Sequence, residues 1–203
     1  MTELSPIDQA LADHYLSDGG LGEGTWILAA PMTVTEARAR LLGPDPRVAT
    51  EDDQDAIEEA EISAYVFHQV GDGVVAWEDT GFADPPKRLL AELSRDGAVS
   101  AVMTDNIEAM TRFGYARDGE IVFDASEFAF VDSLEEIPTE VRDLAALAWS
   151  DLDGPTVERA APTRIAAAMC EKVTGIRATG DLEPGAEAYV VPMLWGVLED
   201  EED

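Results

Sequence analysis

Apolar and polar positions follow their clearest pattern between residues 98 and 126. The segment reads AVSAVMT, a short break, TRFGYAR, Asp118-Gly119, then EIVFDAS. That pattern predicts a strand followed by a hairpin. Asp118-Gly119 is a two-residue turn whose centres both accept positive φ, which suits the twist of paired strands. Arg117 opposite Glu120 closes the turn with opposite charges and sets Tyr115 opposite Val122 and Gly114 opposite Phe123. Phe113 and Tyr115 then share one face, while Phe123 lies over the bare backbone of Gly114. Large apolar groups on both faces predict an inner strand pair, with 98–104 as the neighbouring strand.

The remaining periodicities alternate between helix and strand. Residues 5–17 predict a helix capped by Ser5, with Ile7, Ala10, Leu11, His14 and Tyr15 on one face. Residues 33–42 predict a second, with Thr33 and Glu36 spaced as a capping box and Gly43 beyond its end. A third covers 85–95, with Asp84 as its cap and Leu89, Leu90 and Leu93 as its apolar stripe. A fourth covers 138–151. The fifth, 163–174, stacks Ile165, Met169 and Val173 and ends at Gly175. Strands are expected at 25–30, at 62–70 and 74–78 joined through Gly71-Asp72-Gly73, and at 189–195, where Pro192 demands an edge. Asp151-Leu152-Asp153-Gly154-Pro155 and Glu183-Pro184-Gly185 are breaks. Helices and hairpins mix without regular strand-helix-strand alternation. The expected fold is therefore α+β, a mainly antiparallel sheet built from hairpins with helices packed on it. Residues 1–198 are expected to form one domain, and the acidic 199–203 segment a disordered tail.

Charge changes this picture most. The 203 residues hold 43 acidic and 13 basic side chains, a formal net charge of −30. Of the basic residues only Lys87 and Lys172 are lysines. A field of that sign repels nucleic acid and anionic lipid and attracts basic partners; the same composition also serves solubility or life at high salt. Seven acidic residues fall among the eleven at 51–61. The run lacks the central glycine and the terminal glutamate of a calcium loop, so a solvated acidic face is the expectation.

Candidate chemistry is sparse. Cys170 is the only cysteine, which rules out an intrachain disulfide and a thiolate metal site of useful size. It sits among alanines and a methionine, as a small buried hydrophobe does. His14 and His68 both lie on apolar patterns, where a structural histidine is expected. Trp26, Trp77, Trp149 and Trp195 are expected in core packing. The glycines at 19, 20, 22 and 24 lack the lysine and hydroxyl ending of a phosphate loop. There is no Gly-x-Ser-x-Gly elbow, no zinc-type histidine spacing and no dinucleotide fingerprint. No metal and no cofactor is expected. The N-terminus lacks a basic region with an apolar core, and no apolar run reaches the ~20 residues of a membrane span. A cytoplasmic setting follows as the expectation.

Three stretches also resemble an uncharacterised actinobacterial domain family of unknown function: TWILAAPMTVTEARARLLG (25–43), AVSAVMTDNIEAMTRFGYARDGEIVFDAS (98–126) and AAAMCEKVTGIRAT (166–179). The resemblance implies one compact domain in a bacterial cytosol. It carries no activity with it, because the family has none assigned. The acidic run and the charged tail depart from the family pattern.

Two functional readings remain. The first is a non-catalytic acidic protein that captures a basic protein partner, as an immunity protein or inhibitor does with a toxin, or as a nucleic-acid mimic does with a nucleic-acid-binding protein. Asp52, Asp53, Asp55, Glu58, Glu59 and Glu61 are its expected contact residues. The second is an enzyme or small-molecule-binding protein whose site is assembled from scattered residues.

Overall fold

The computed structural model describes residues 4–18, 24–59, 61–105, 111–149, 160–178 and 187–192. The breaks at 151–155 and 183–185, the glycines 19, 20 and 22, Trp195 and the acidic tail lie outside the described residues. The helices are α1 (Pro6–Asp18), α2 (Val34–Leu42), α3 (Gln54–Glu58), α4 (Lys87–Leu93), α5 (Thr139–Ala145) and α6 (Pro162–Thr174). The strands are β1 (Gly24–Ala30), β2 (Ile62–Val70), β3 (Gly73–Glu78), β4 (Val99–Asp105), β5 (Thr111–Arg117), β6 (Glu120–Ala125) and β7 (Ala188–Pro192). All seven strands form one antiparallel sheet in the order β6-β5-β4-β1-β3-β2-β7. The fold is α+β, as the mixed periodicities require.

Strand alternation gives the sheet two apolar faces. Trp26, Leu28, Met103, Phe113 and Tyr115 point to one, where α6 lies on β4, β5 and β1 and is flanked by α1 and α5. Ile27, Tyr65, Phe67, Ala76 and Val102 point to the other, covered by α2 and α4 through Leu41, Leu89, Leu90 and Leu93. Every residue of β1 is buried, as expected of the central strand of a sheet packed on both faces. Cys170 is fully buried in α6, and burial pushes its thiol well above the usual range.

Local signals hold at most helix ends. The Thr33 hydroxyl accepts from the Glu36 amide at 3.3 Å, and Gly43 follows α2 at φ 83°. Gly175 ends α6 in the left-handed region at φ 73°. Asp118 and Gly119, at φ 54° and 84°, form the expected hairpin turn. β7 is an edge strand, and Pro192 is its last residue.

Five expectations are overturned. Glu36 does not close a capping box; its carboxylate turns along the helix to Arg40, 2.6 Å away, where an ion pair is available. Ile7 lies outside the apolar face of α1 and is 70% exposed, because Asp8 takes the inward position and is held by Ser5 and Lys172. Asp84 does not cap α4. The extended backbone at Pro86 (ψ 153°) delays the helix to Lys87 and leaves Asp84 facing the sheet. The hairpin register shifts by one residue, so Tyr115 faces Phe123 and Gly114 faces Asp124. Val122 is the extra residue of a bulge, which relieves the otherwise regular edge. Finally, the hairpin is not an inner pair: β5 is inner, but β6 is the sheet's edge.

Candidate functional site

Two charged surfaces and one buried charged cluster compete for the role of functional site. The acidic run folds into a 3₁₀ turn, Glu51–Asp53, followed by α3. Asp53 is its clamp. One carboxylate oxygen accepts from the Thr50 amide at 2.8 Å and the Thr50 hydroxyl at 2.9 Å, and the other pairs with Arg47 at 2.6 Å. The Arg47 and Thr50 bonds hold the Asp53 carboxyl below the usual carboxylate range. Asp53 therefore faces inward, while Asp52, Asp55, Glu58, Glu59 and Glu61 are exposed. Among the described residues none of these five carboxylates is in an ion pair, and Glu58 accepts only from Gln54 at 3.2 Å.

Beside this turn lies a cleft of about 780 Å³, bounded by the end of α2, the length of α4, and β7. Arg40, Arg47, Arg88 and Arg95 line it, against the acidic Asp45 and Glu92. These arginines come from separate stretches of chain, and nothing in the sequence joined them. The one available signal was rarity: with 13 basic residues against 43 acidic ones, each cation is informative. Arg40 is more covered and more fully engaged than Arg47 or Arg95. It donates to the carbonyls of Glu92 (3.3 Å) and Arg95 (3.0 Å) and pairs with Glu36 and with Asp96 (2.7 Å), fixing the end of α4 against α2. Arg47 and Arg95 differ: each makes one ion pair, to Asp53 and to Glu92, and keeps 56% and 61% of its side chain exposed.

The buried cluster sits at the sheet end where β1 and β5 begin and β3, β4 and β6 finish. Arg112, 9% exposed, grips Asp124 through Nε at 3.0 Å and Nη2 at 2.6 Å. Its Nη1 donates to the Pro85 carbonyl at 2.8 Å and lies 3.6 Å from Asp84. Asp84 accepts from the Thr104 hydroxyl and, at 3.4 Å, from Thr25. Burial raises the Asp84 carboxyl above the usual range, and Arg112 and Thr104 only partly offset it. Tyr65 donates to the Ala83 carbonyl at 2.8 Å, and burial pushes its phenol well up. Buried Glu78 accepts from Ser63 and from the amides of Thr80 and Gly81, both at 2.9 Å. The bonds to Thr80, Gly81, Ala83, Asp84 and Pro85 tie the segment 79–86 to the sheet, while Arg112–Asp124 and Ser63–Glu78 join neighbouring strands. No buried side-chain nitrogen or oxygen among the described residues lacks a partner. The cluster's bonds are thus committed to joining strands and to holding the strap that leads into α4.

The other candidates take structural places. His14 is half-buried, its ring edge-on to Tyr15 at 4.8 Å. His68 is half-buried in β2 and partnered. Trp26 and Trp77 pack at 5.7 Å, and the Trp149 indole donates to the Val131 carbonyl at 2.9 Å. Among the described residues no three His, Cys, Asp or Glu side chains are placed to hold a metal ion together. No described helix is long and apolar enough to cross a membrane.

A family model described as a family of unknown function (DUF6461) matches residues 26–193. The chain belongs to that family. The match takes in nearly all of the three stretches that carry the sequence resemblance, together with the acidic turn, the cleft and the buried cluster of this DUF6461 member. No curated protein and no solved structure matches it.

Proposed function

We propose that this protein is a non-catalytic binding protein of the cytoplasm that captures a basic protein partner on its acidic surface. The partner is a toxin, in an immunity or inhibitor relationship, or a nucleic-acid-binding protein whose ligand the carboxylates imitate. One observation carries the reading: five carboxylates of the short segment 52–61, clamped at Asp53, face solvent, and among the described residues none of them is in an ion pair. Carboxylates fixed on a rigid element substitute for phosphates, and they are already ordered before the partner arrives. The net charge of −30 adds a long-range attraction that speeds encounter with a cationic surface.

The test separates this turn from charge in general. One variant carries Asp52→Asn, Asp55→Asn, Glu58→Gln, Glu59→Gln and Glu61→Gln, and leaves the Asp53 clamp intact. Its control neutralises Asp13, Glu120, Glu127, Asp132 and Glu135, which are exposed elsewhere. A basic host protein retained by the parent at low salt serves as the ligand for kinetic measurements. The turn variant is expected to associate at least about tenfold more slowly, with a flatter salt dependence, while the control changes by a factor of about two. Equal losses in both variants would leave only non-specific attraction.

A further inference from the structure

The cleft along α4 gathers cations beside the acidic turn, and a proposal for it does not need the partner reading. Four of the thirteen basic residues line one cavity in a chain of net charge −30. Asp45 and Glu92 share the lining, and Glu36, Asp53 and Asp96 pair with Arg40 and Arg47 from just outside it, so what the cleft offers is a cluster of guanidinium donors and not a net positive charge. Arg88 and Glu92 stand one turn apart on α4, and Arg95 follows just past its end, all three lining the cleft. Arg40 braces the helix end from below. Arg47 and Arg95 each commit one nitrogen to an ion pair and hold the rest of the guanidinium toward solvent. The remaining wall is apolar, built by Leu42, Leu89, Val190 and Pro192.

We propose that this cleft is a binding site for a small organic phosphate of about nucleotide size. Arg47 and Arg95 would hold the phosphoryl oxygens, and the apolar wall would seat the organic body. Guanidinium forks match phosphate oxygens in pairs and are less strongly hydrated than lysine, which suits a partly enclosed site. A cavity of about 780 Å³ is the size of a small-molecule pocket. The surrounding charge sets the size limit. A nucleotide keeps its charge within the lining, whereas a nucleic-acid strand would run out over the carboxylates around it and be repelled.

The probes are ADP, inorganic phosphate and a single-stranded oligonucleotide, titrated calorimetrically against the full chain at low salt. ADP is expected to bind saturably below about 1 mM, more tightly than phosphate, with no measurable oligonucleotide binding. Its addition should shift the backbone amide resonances of Gly43, Gly119 and Val190, which line the cleft. Arg47→Gln with Arg95→Gln should weaken ADP by about tenfold or more, the scale of one lost charge-assisted hydrogen bond, with the thermal midpoint lowered by no more than about 4 °C. If that pair disturbs the fold, Arg95→Gln alone must still weaken ADP several-fold. The acidic-turn variant should bind ADP at least as well as the parent, because it removes only negative charge; failure of the partner reading therefore leaves this site standing. No saturable ADP binding, an affinity unmoved by the arginine substitutions, equal affinity for inorganic phosphate, or equal binding of the oligonucleotide would each overturn the site.

Discussion

Arg112 and Arg95 are the same side chain in two opposite circumstances. Arg112 is 9% exposed and spends its nitrogens on Asp124 and the Pro85 carbonyl, with Asp84 alongside. Arg95 is 61% exposed and makes one ion pair, three residues back along its own segment. Burial opposes the Arg112 charge, and the two carboxylates outweigh it, so its pKa lies above the ordinary value. A charge so enclosed is part of the scaffold: it fixes the strap 79–86, which in turn sets where α4 begins. A charge left half in water contributes little to stability and keeps its donors for something else. The sheet end and the cleft thus divide the cations between holding and binding, and the division can be measured.

The largest expected effect is at the sheet end. Arg112→Leu strands Asp84 and Asp124 without their cation, and breaking a buried pair this way costs about 3–5 kcal/mol. For a domain of about 200 residues that lowers the melting temperature by roughly 10 °C. Arg47→Gln and Arg95→Gln should each move it by about 2 °C or less. Adding Asp124→Leu to Arg112→Leu removes one stranded charge and should recover part of the loss. Thermal and urea unfolding check the series. Equal melting shifts for the buried and the cleft arginines would erase the division.

Next in size is Gly114. A Cβ there would lie 3.0 Å from the Asp124 Cγ and 3.1 and 3.3 Å from its oxygens. Those oxygens cannot retreat without leaving the Arg112 fork. Gly114→Ala should therefore destabilise by about 1–3 kcal/mol, although alanine ordinarily improves on glycine within a strand. In the Arg112→Leu, Asp124→Leu background the fork is gone. The Gly114→Ala effect should then shrink, and a double-mutant cycle in urea measures that coupling.

Gly114 also marks where sequence reading succeeds and where it stops. Asp118-Gly119 announced its turn because the chemistry is local: two adjacent residues supply both positive φ values. Thr33, Gly43 and Gly175 announced helix ends for the same reason. The bulge at Val122 has no such local signature, so the register beyond it was read one residue out, and Asp124 was not seen over Gly114. Asp84 failed in another way. Next to two prolines it reads as a helix cap, yet Thr104, Thr25 and Arg112, all distant in sequence, draw it to the sheet. Long-range partners outweighed a local preference worth about 1 kcal/mol. The acidic turn was legible as charge, but Asp53 could not be told from its neighbours without Arg47 and Thr50 in place. The cleft was not legible at all. Its arginines are brought together by the packing of α2, α4 and β7, and no spacing in the chain encodes that.

The smallest expected effect tests the contact that lies between the two extremes. In the Arg47–Asp53 pair the carboxylate is covered and the arginine is not, at 11% and 56% side-chain exposure. The Asp53 carboxyl is held below its ordinary value, so between that depressed value and about pH 4 the unfolded chain binds the proton that the folded chain refuses. The contribution is complete above about pH 4 and disappears as the pH falls through the folded value. Asp84 and Asp79 have the opposite sign, since burial raises them and the folded chain binds their protons first. Comparing Asp53→Asn with the parent at each pH subtracts those groups along with the repulsion among the other carboxylates. The parent should be modestly the more stable at about pH 7 and 5, and the gap should narrow toward about pH 3, read from urea midpoints. A gap that is constant across this range would mean that neither Arg47 nor Thr50 favours the folded carboxylate over its acid. The Arg47–Asp53 pair would then add nothing measurable to the scaffold, and Arg47 would belong to the cleft.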